Sequence, residues 1–124
     1  MPRVAAVVVV CLLALAACTA GDADDAAVIE QLRQAGADLS QPREVRYYLY
    51  LPGQADANRV ATIVAGGARQ VDVQPAAVGS DWLVLVTETT VVDLELLAAR
   101  REEWRRALEP LGGEYDGWEA AASP

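Results

Sequence analysis

The chain has 124 residues, with ten arginines against eighteen acidic residues, no lysine and no histidine, and a formal charge of −8. That balance argues against nucleic acid as a partner, because phosphate neutralisation supplies most of the affinity there. Without histidine or lysine, Ser-His-Asp triads, Cys-His pairs, Ser-Lys dyads, Schiff-base chemistry and histidine-ligated zinc are excluded.

The N-terminus has the order of a secretory signal: Arg3, the apolar run Val4 to Ala14, then the small residues Ala16 and Ala17. Leu15-Ala16-Ala17-Cys18 resembles the bacterial lipobox, in which the cysteine receives a diacylglyceryl group and becomes the new N-terminus. Residues 1–17 are therefore read as a lipoprotein signal peptide, Cys18 as the lipid attachment site and 18–25 as a lipidated tether. An ordinary cleaved leader and an uncleaved single-span anchor are the alternatives. Two acyl chains anchor stably where one does not, which places the domain at the cell membrane or outer membrane, outside the cytoplasm. Cys11 leaves with the leader and Cys18 is alkylated, so no disulfide remains. Beyond Arg3, nine arginines face eighteen acids, a formal −9.

In chain order, Val28, Ile29, Leu32 and Ala35 recur at helical spacing, with Asp24 or Asp25 placed to cap the start and Gly36 to end the helix. The stretch 45–51 alternates with large residues on both faces: Val45, Tyr47, Leu49 and Leu51 on one, Arg46, Tyr48 and Tyr50 on the other. Such a strand belongs inside a sheet. A second helix spans 54–65, with Ala57, Val60, Ala61 and Val64 on one face. Residues 69–74 alternate as a half-exposed edge strand. Residues 81–88 form a second central strand, with Leu83 and Leu85 opposed to Trp82, Val84 and Val86. The longest helix spans 91–111, its stripe of Leu94, Leu97, Trp104, Leu108 and Leu111 interrupted by Arg101. Residues 114–119 form a last strand, and 120–124 are read as a disordered tail.

These elements make one α+β domain over residues 26–119. The order βαββαβ gives a ferredoxin-like two-layer sandwich, an antiparallel sheet under two helices, with an extra N-terminal helix. Strands one and three occupy its interior positions, matching the two strands that are apolar on both faces.

The remaining chemistry is that of carboxylates. Asp81, Glu114, Asp116 and Glu119 are the candidates for a hydrolase, which also needs a cleft that a small two-layer core seldom supplies. The run Asp22-Ala23-Asp24-Asp25 lacks the glycine turn and closing glutamate of a calcium loop. No cofactor or metal is expected. Arg100, Arg101, Arg105 and Arg106 are interleaved with Glu102, Glu103 and Glu109, which reads as a self-paired solvated face. Tyr48, Tyr50, Trp82 and Trp118 are placed to share the sheet face opposite the two helices, either as a binding patch or as core beneath the leading helix.

Asp25-Ala26-Ala27-Val28-Ile29-Glu30 with Leu32, Gly36-Ala37-Asp38, Pro42-Arg43-Glu44-Val45, Tyr50, Trp82 and above all Gly113-Glu114-Tyr115-Asp116-Gly117-Trp118-Glu119 resemble the ribonuclease E regulator B, or ribonuclease E inhibitor, family. The most specific piece is Tyr115-Asp116-Gly117-Trp118. The resemblance implies a ferredoxin-like domain with an added helix and no enzymatic activity. It implies action by binding a protein partner, in known members ribonuclease E. That enzyme is cytoplasmic and the leader points to export, so the partner stays open. The four tail residues are equally consistent with partner contact and with pinning the last strand.

Overall fold

The computed structural model describes residues 21–122. The expected signal peptide, Cys18 and the final residues Ser123 and Pro124 lie outside the described residues. Among the described residues three helices, α1 (Gly21–Gln34), α2 (Gln54–Val64) and α3 (Leu94–Leu108), accompany four strands, β1 (Arg43–Leu51), β2 (Gln70–Pro75), β3 (Trp82–Thr90) and β4 (Glu114–Ala120); a 3-10 turn, Glu109–Leu111, follows α3. The strands form one antiparallel sheet in the order β2-β3-β1-β4. This is the expected α+β sandwich with its extra leading helix, and β1 and β3 are interior.

Alternation in β1 sets the layers. Val45, Tyr47, Leu49 and Leu51 are fully buried on the helix side. The register Leu49↔Val84 and Tyr47↔Val86 sets β3's apolar residues beside them. α2 packs over β2 and β3, α3 over β1 and β4, and α1 lies against α3. Val28, Ile29 and Leu32 of α1 join the same core as Val60, Leu97, Trp104 and Trp118. The leading helix thus sits with the other two and leaves the opposite face, where it was one candidate cover, to a separate cluster. Apolar helical spacing reveals a buried stripe but not which layer receives it.

Several boundaries differ from the sequence reading. α1 is already helical at Gly21, the first described residue, so residues 21–25, expected to be tether, belong to it. α3 begins at Leu94 because the Asp93 side chain accepts from the Leu96 amide at 2.8 Å, a helix cap. Leu94 is consequently 43 % exposed, while Val92 enters the core. At the C-terminus, β4 includes Ala120, and the buried Arg43 guanidinium donates to the carbonyls of Ala121 (2.5 Å), Ala122 (2.9 Å) and Asp38 (2.9 Å). Those carbonyls hold a segment where a frayed end was expected.

A charged lattice closes the margin of the core. The Tyr47 ring meets that of Trp104 at a tilt of 56° with centroids 5.1 Å apart, and its hydroxyl donates to Glu88 at 2.6 Å. Arg100 donates to both oxygens of Glu88, and Arg69 to both oxygens of Glu103 while lying 4.9 Å over the Trp104 ring. Burial alone would raise the Glu88 carboxyl, but the bonds from Arg100 and Tyr47 outweigh it and hold the group below its ordinary 4.5. A carboxylate with a depressed folded value stabilises fully above its unfolded pKa and loses that contribution as the pH falls through the folded one. We expect Glu88→Gln to cost about 1–3 kcal/mol at pH 7 and to flatten the acid limb of stability below the ordinary glutamate range, read by urea unfolding across pH 3 to 7.

Candidate protein-binding site

The tail motif has a geometric reading. β4 pairs with β1 through Tyr47↔Trp118 and then Leu49↔Tyr115, so two steps along β1 match three along β4. The extra residue is a bulge at Asp116-Gly117, where Gly117 takes φ 111°. In a regular strand, residues three apart face opposite ways. The bulge turns both Tyr115 and Trp118 toward the helix-side core. Gly113, just before β4, is also constrained: a Cβ there would lie 2.8 Å from both the Tyr50 carbonyl oxygen and Leu108 Cδ2.

Trp118 then does what a phenylalanine cannot. Its Nε1–H donates to Asp25 Oδ1 at 3.0 Å, and Arg101 donates to Asp25 Oδ2 at 2.7 Å and to Asp22 at 2.6 Å. One carboxylate therefore ties α1 to both α3 and β4. Asp25 is four residues inside α1 and is not its cap. Burial raises its pKa, outweighing the bonds from Trp118 and Arg101, so this group opposes Glu88: its contribution weakens as the pH rises above the ordinary aspartate value. Neither Asp25 nor Arg101 was singled out as a pair from sequence, although an arginine interrupting an apolar stripe needs an acid nearby.

The aromatic set does not assemble as expected. Tyr48, Tyr50 and Leu83 form a second buried cluster with Leu85 and Ala76 against it, and no residue of the described helices belongs to it. Trp82 and Trp118 instead pack against the helix-side core, because Trp82 pairs with Leu51 and Trp118 with Tyr47. The Tyr48 hydroxyl donates to Glu119 at 3.1 Å, and burial, then that carboxylate, push its pKa up to about 12.

Of the candidate carboxylates, Glu119 serves Tyr48 and lies 3.6 Å from Arg46, Asp116 stands at the bulge, and Glu114 opens β4 opposite Tyr50. Asp81 closes the β2–β3 hairpin by accepting the Ala76 amide on its backbone carbonyl at 2.9 Å. The arginine-rich helix divides its charges. Arg105 and Arg106 pair with Glu102 and Glu109 along the exposed face, whereas Arg100 and Arg101 reach other elements.

These contacts give two expected outcomes. Gly117→Ala, which forces a Cβ onto a positive φ, should cost about 1–3 kcal/mol. Trp118→Phe and Asp25→Asn should each destabilise, and the double substitution should fall short of their sum by about 0.5–3 kcal/mol, the mark of a direct contact. Chemical denaturation of the four variants checks both.

A search of curated proteins finds no match. The family model for regulator of ribonuclease activity B matches residues 22–120, from the second residue of α1 to the end of β4. That span contains both partners of the Asp25–Trp118 bond, the bulge and all four strands. The chain therefore belongs to the regulator of ribonuclease activity B family.

Proposed function

We propose that this chain is a non-catalytic regulatory domain that acts by binding another protein, tethered to a membrane through a lipidated Cys18 with the domain outside the cytoplasm. The observation that carries the regulatory part is the family match across the entire fold, 22–120. The disposition of charge agrees with it: the more buried acids, Asp25 and Glu88, are bound to arginines and ring donors, which suits a scaffold better than acid–base work. The tether rests on the lipobox-like Leu15-Ala16-Ala17-Cys18. Among the described residues no helix is long and apolar enough to cross a membrane.

The second reading is a cytoplasmic regulator of ribonuclease E that acts by direct contact, and it is favoured by the family description. A carboxylate hydrolase and a nucleic-acid reader stand behind both, the latter weakened by the charge of −8.

Two measurements separate the first two readings. Mass spectrometry of the mature chain should show an acylated Cys18 at the new N-terminus; an intact leader or an unmodified residue 18 overturns the tether. In a cleavage assay with purified ribonuclease E, stoichiometric inhibition accompanied by complex formation supports the cytoplasmic reading, and no binding even at low salt overturns it.

A further inference from the structure

A groove of about 520 Å³ runs between α2 and α3 and ends at the 3-10 turn. Its apolar walls come from Ile63 and Val64 on one side and Ala99, Ala107 and Leu111 on the other. α2 buries Ala57, Val60 and Val64, yet Ile63 is 58 % exposed, the most exposed large apolar side chain among the described residues. Isolated exposure of this kind is ordinary. Exposure at the lip of an apolar groove between two helices is the arrangement that receives an inserted side chain.

The charges around the groove say what that side chain should bring with it. Four ionisable residues line it: Arg59, Arg106, Glu102 and Glu103. Both acids are already taken. Glu103 is held at 2.6 and 2.8 Å by Arg69, with Arg100 3.6 Å away. Glu102 accepts from Arg105 at 2.6 and 3.0 Å and from Arg106 at 3.0 Å, and Arg105 also donates to Glu109 at 3.1 Å, so these two arginines are matched by two carboxylates. Arg59 makes no ion pair among the described residues. The uncompensated charge at the rim is therefore the positive charge of Arg59, on a chain whose formal charge is −8. A basic ligand would be drawn to the rest of the surface in preference to this rim.

We infer that the groove is a docking site for an acidic amphipathic segment of a partner protein, which places an apolar side chain between Ile63 and Leu111 and a carboxylate against Arg59. The inference rests on the protein-binding reading and names the surface and the ligand chemistry that reading leaves open. The occupant is read as an apolar stripe at i, i+3 and i+7 with glutamates flanking it, the pattern by which a helix lies in a groove. Specificity resides in Arg59 and the apolar contact supplies the anchor.

The test uses the full chain and a fluorescein-labelled 14-residue peptide carrying leucines at i, i+3 and i+7 with glutamates flanking them, beside the same peptide with every glutamate replaced by lysine. Fluorescence anisotropy should show the glutamate peptide bound, the lysine peptide unbound and the affinity falling as salt rises. Ile63→Glu and Arg59→Glu should each weaken binding by about tenfold or more. Val78→Glu, at an exposed position in the β2–β3 loop, should leave it unchanged. Circular dichroism melts show whether each variant is folded. Equal binding of both peptides, no binding of the glutamate peptide, or folded Ile63 and Arg59 variants that bind as the parent does would each overturn the proposal. Sedimentation showing that Ile63 mediates self-association would overturn it as well, by giving the groove to a second copy. If the folded Ile63→Glu variant still inhibits a ribonuclease that the parent inhibits, the groove assignment fails and the regulatory reading stands.

Discussion

The carboxylate of Asp25 joins the two ends of the domain. Its two oxygens face an indole N–H from β4 and a guanidinium from α3, so α1, α3 and β4 meet at one residue. Apolar contact through Val28, Ile29 and Leu32 supplies the burial energy of α1. Such contact is tolerant of rotation and sliding. The two directed bonds are not, and they fix where along α3 the leading helix stops. The bulge at Gly117 serves the same contact, because without the extra residue Trp118 and Tyr115 would face opposite sides of the sheet. The motif in β4 and the acid in α1 are thus two halves of one structural device, 93 residues apart in sequence.

That device also shows what the sequence could and could not disclose. Both interior strands were legible because Val45–Leu51 and Trp82–Val86 carry large residues on each flank, a pattern that burial on two sides requires. The ferredoxin-like order followed from counting elements. The grouping of Tyr48, Tyr50, Trp82 and Trp118 was not legible, since each strand shows its own two faces but says nothing about how its register aligns with a neighbour's. A shift of one residue moves an aromatic to the other layer, and the pairings Leu51↔Trp82 and Tyr47↔Trp118 do this for both tryptophans. The side on which α1 packs was hidden for a related reason: an amphipathic stripe of four residues fits either layer. The Asp25–Arg101 pair left a trace in the arginine that broke the stripe of α3.

Arginine is the only basic residue in the chain, and the fold uses its geometry. Arg69 and Arg100 each engage a carboxylate through two nitrogens, which a lysine cannot do, and Arg69 also lies over the Trp104 ring. Arg43 uses the same fan of donors on backbone carbonyls, binding the chain before β1 to the chain after β4. In a small domain without a disulfide among its described residues, these planar contacts supply directed links at the core margin that apolar packing lacks. Most of the positive charge is thereby committed within the chain, and among the described residues Arg59 is the one arginine left without an acid or carbonyl partner.

The architecture narrows how a partner can be recognised. A sheet of this kind offers its two edges to an added strand, a common route to peptide binding. β2 is six residues long, carries Asp72 between two glutamines and ends in a proline, features that discourage edge pairing. β4 is bent by its bulge, which interrupts the regular row of donors and acceptors an incoming strand would need. With both edges unsuited to strand addition, recognition falls to side-chain surfaces. Tyr48, Tyr50 and Leu83 are buried together, whereas the seam between α2 and α3 combines an exposed apolar lip with Arg59, which makes no ion pair among the described residues. α2 and α3 are seated on the two halves of the sheet, so the groove between them is walled by both helices.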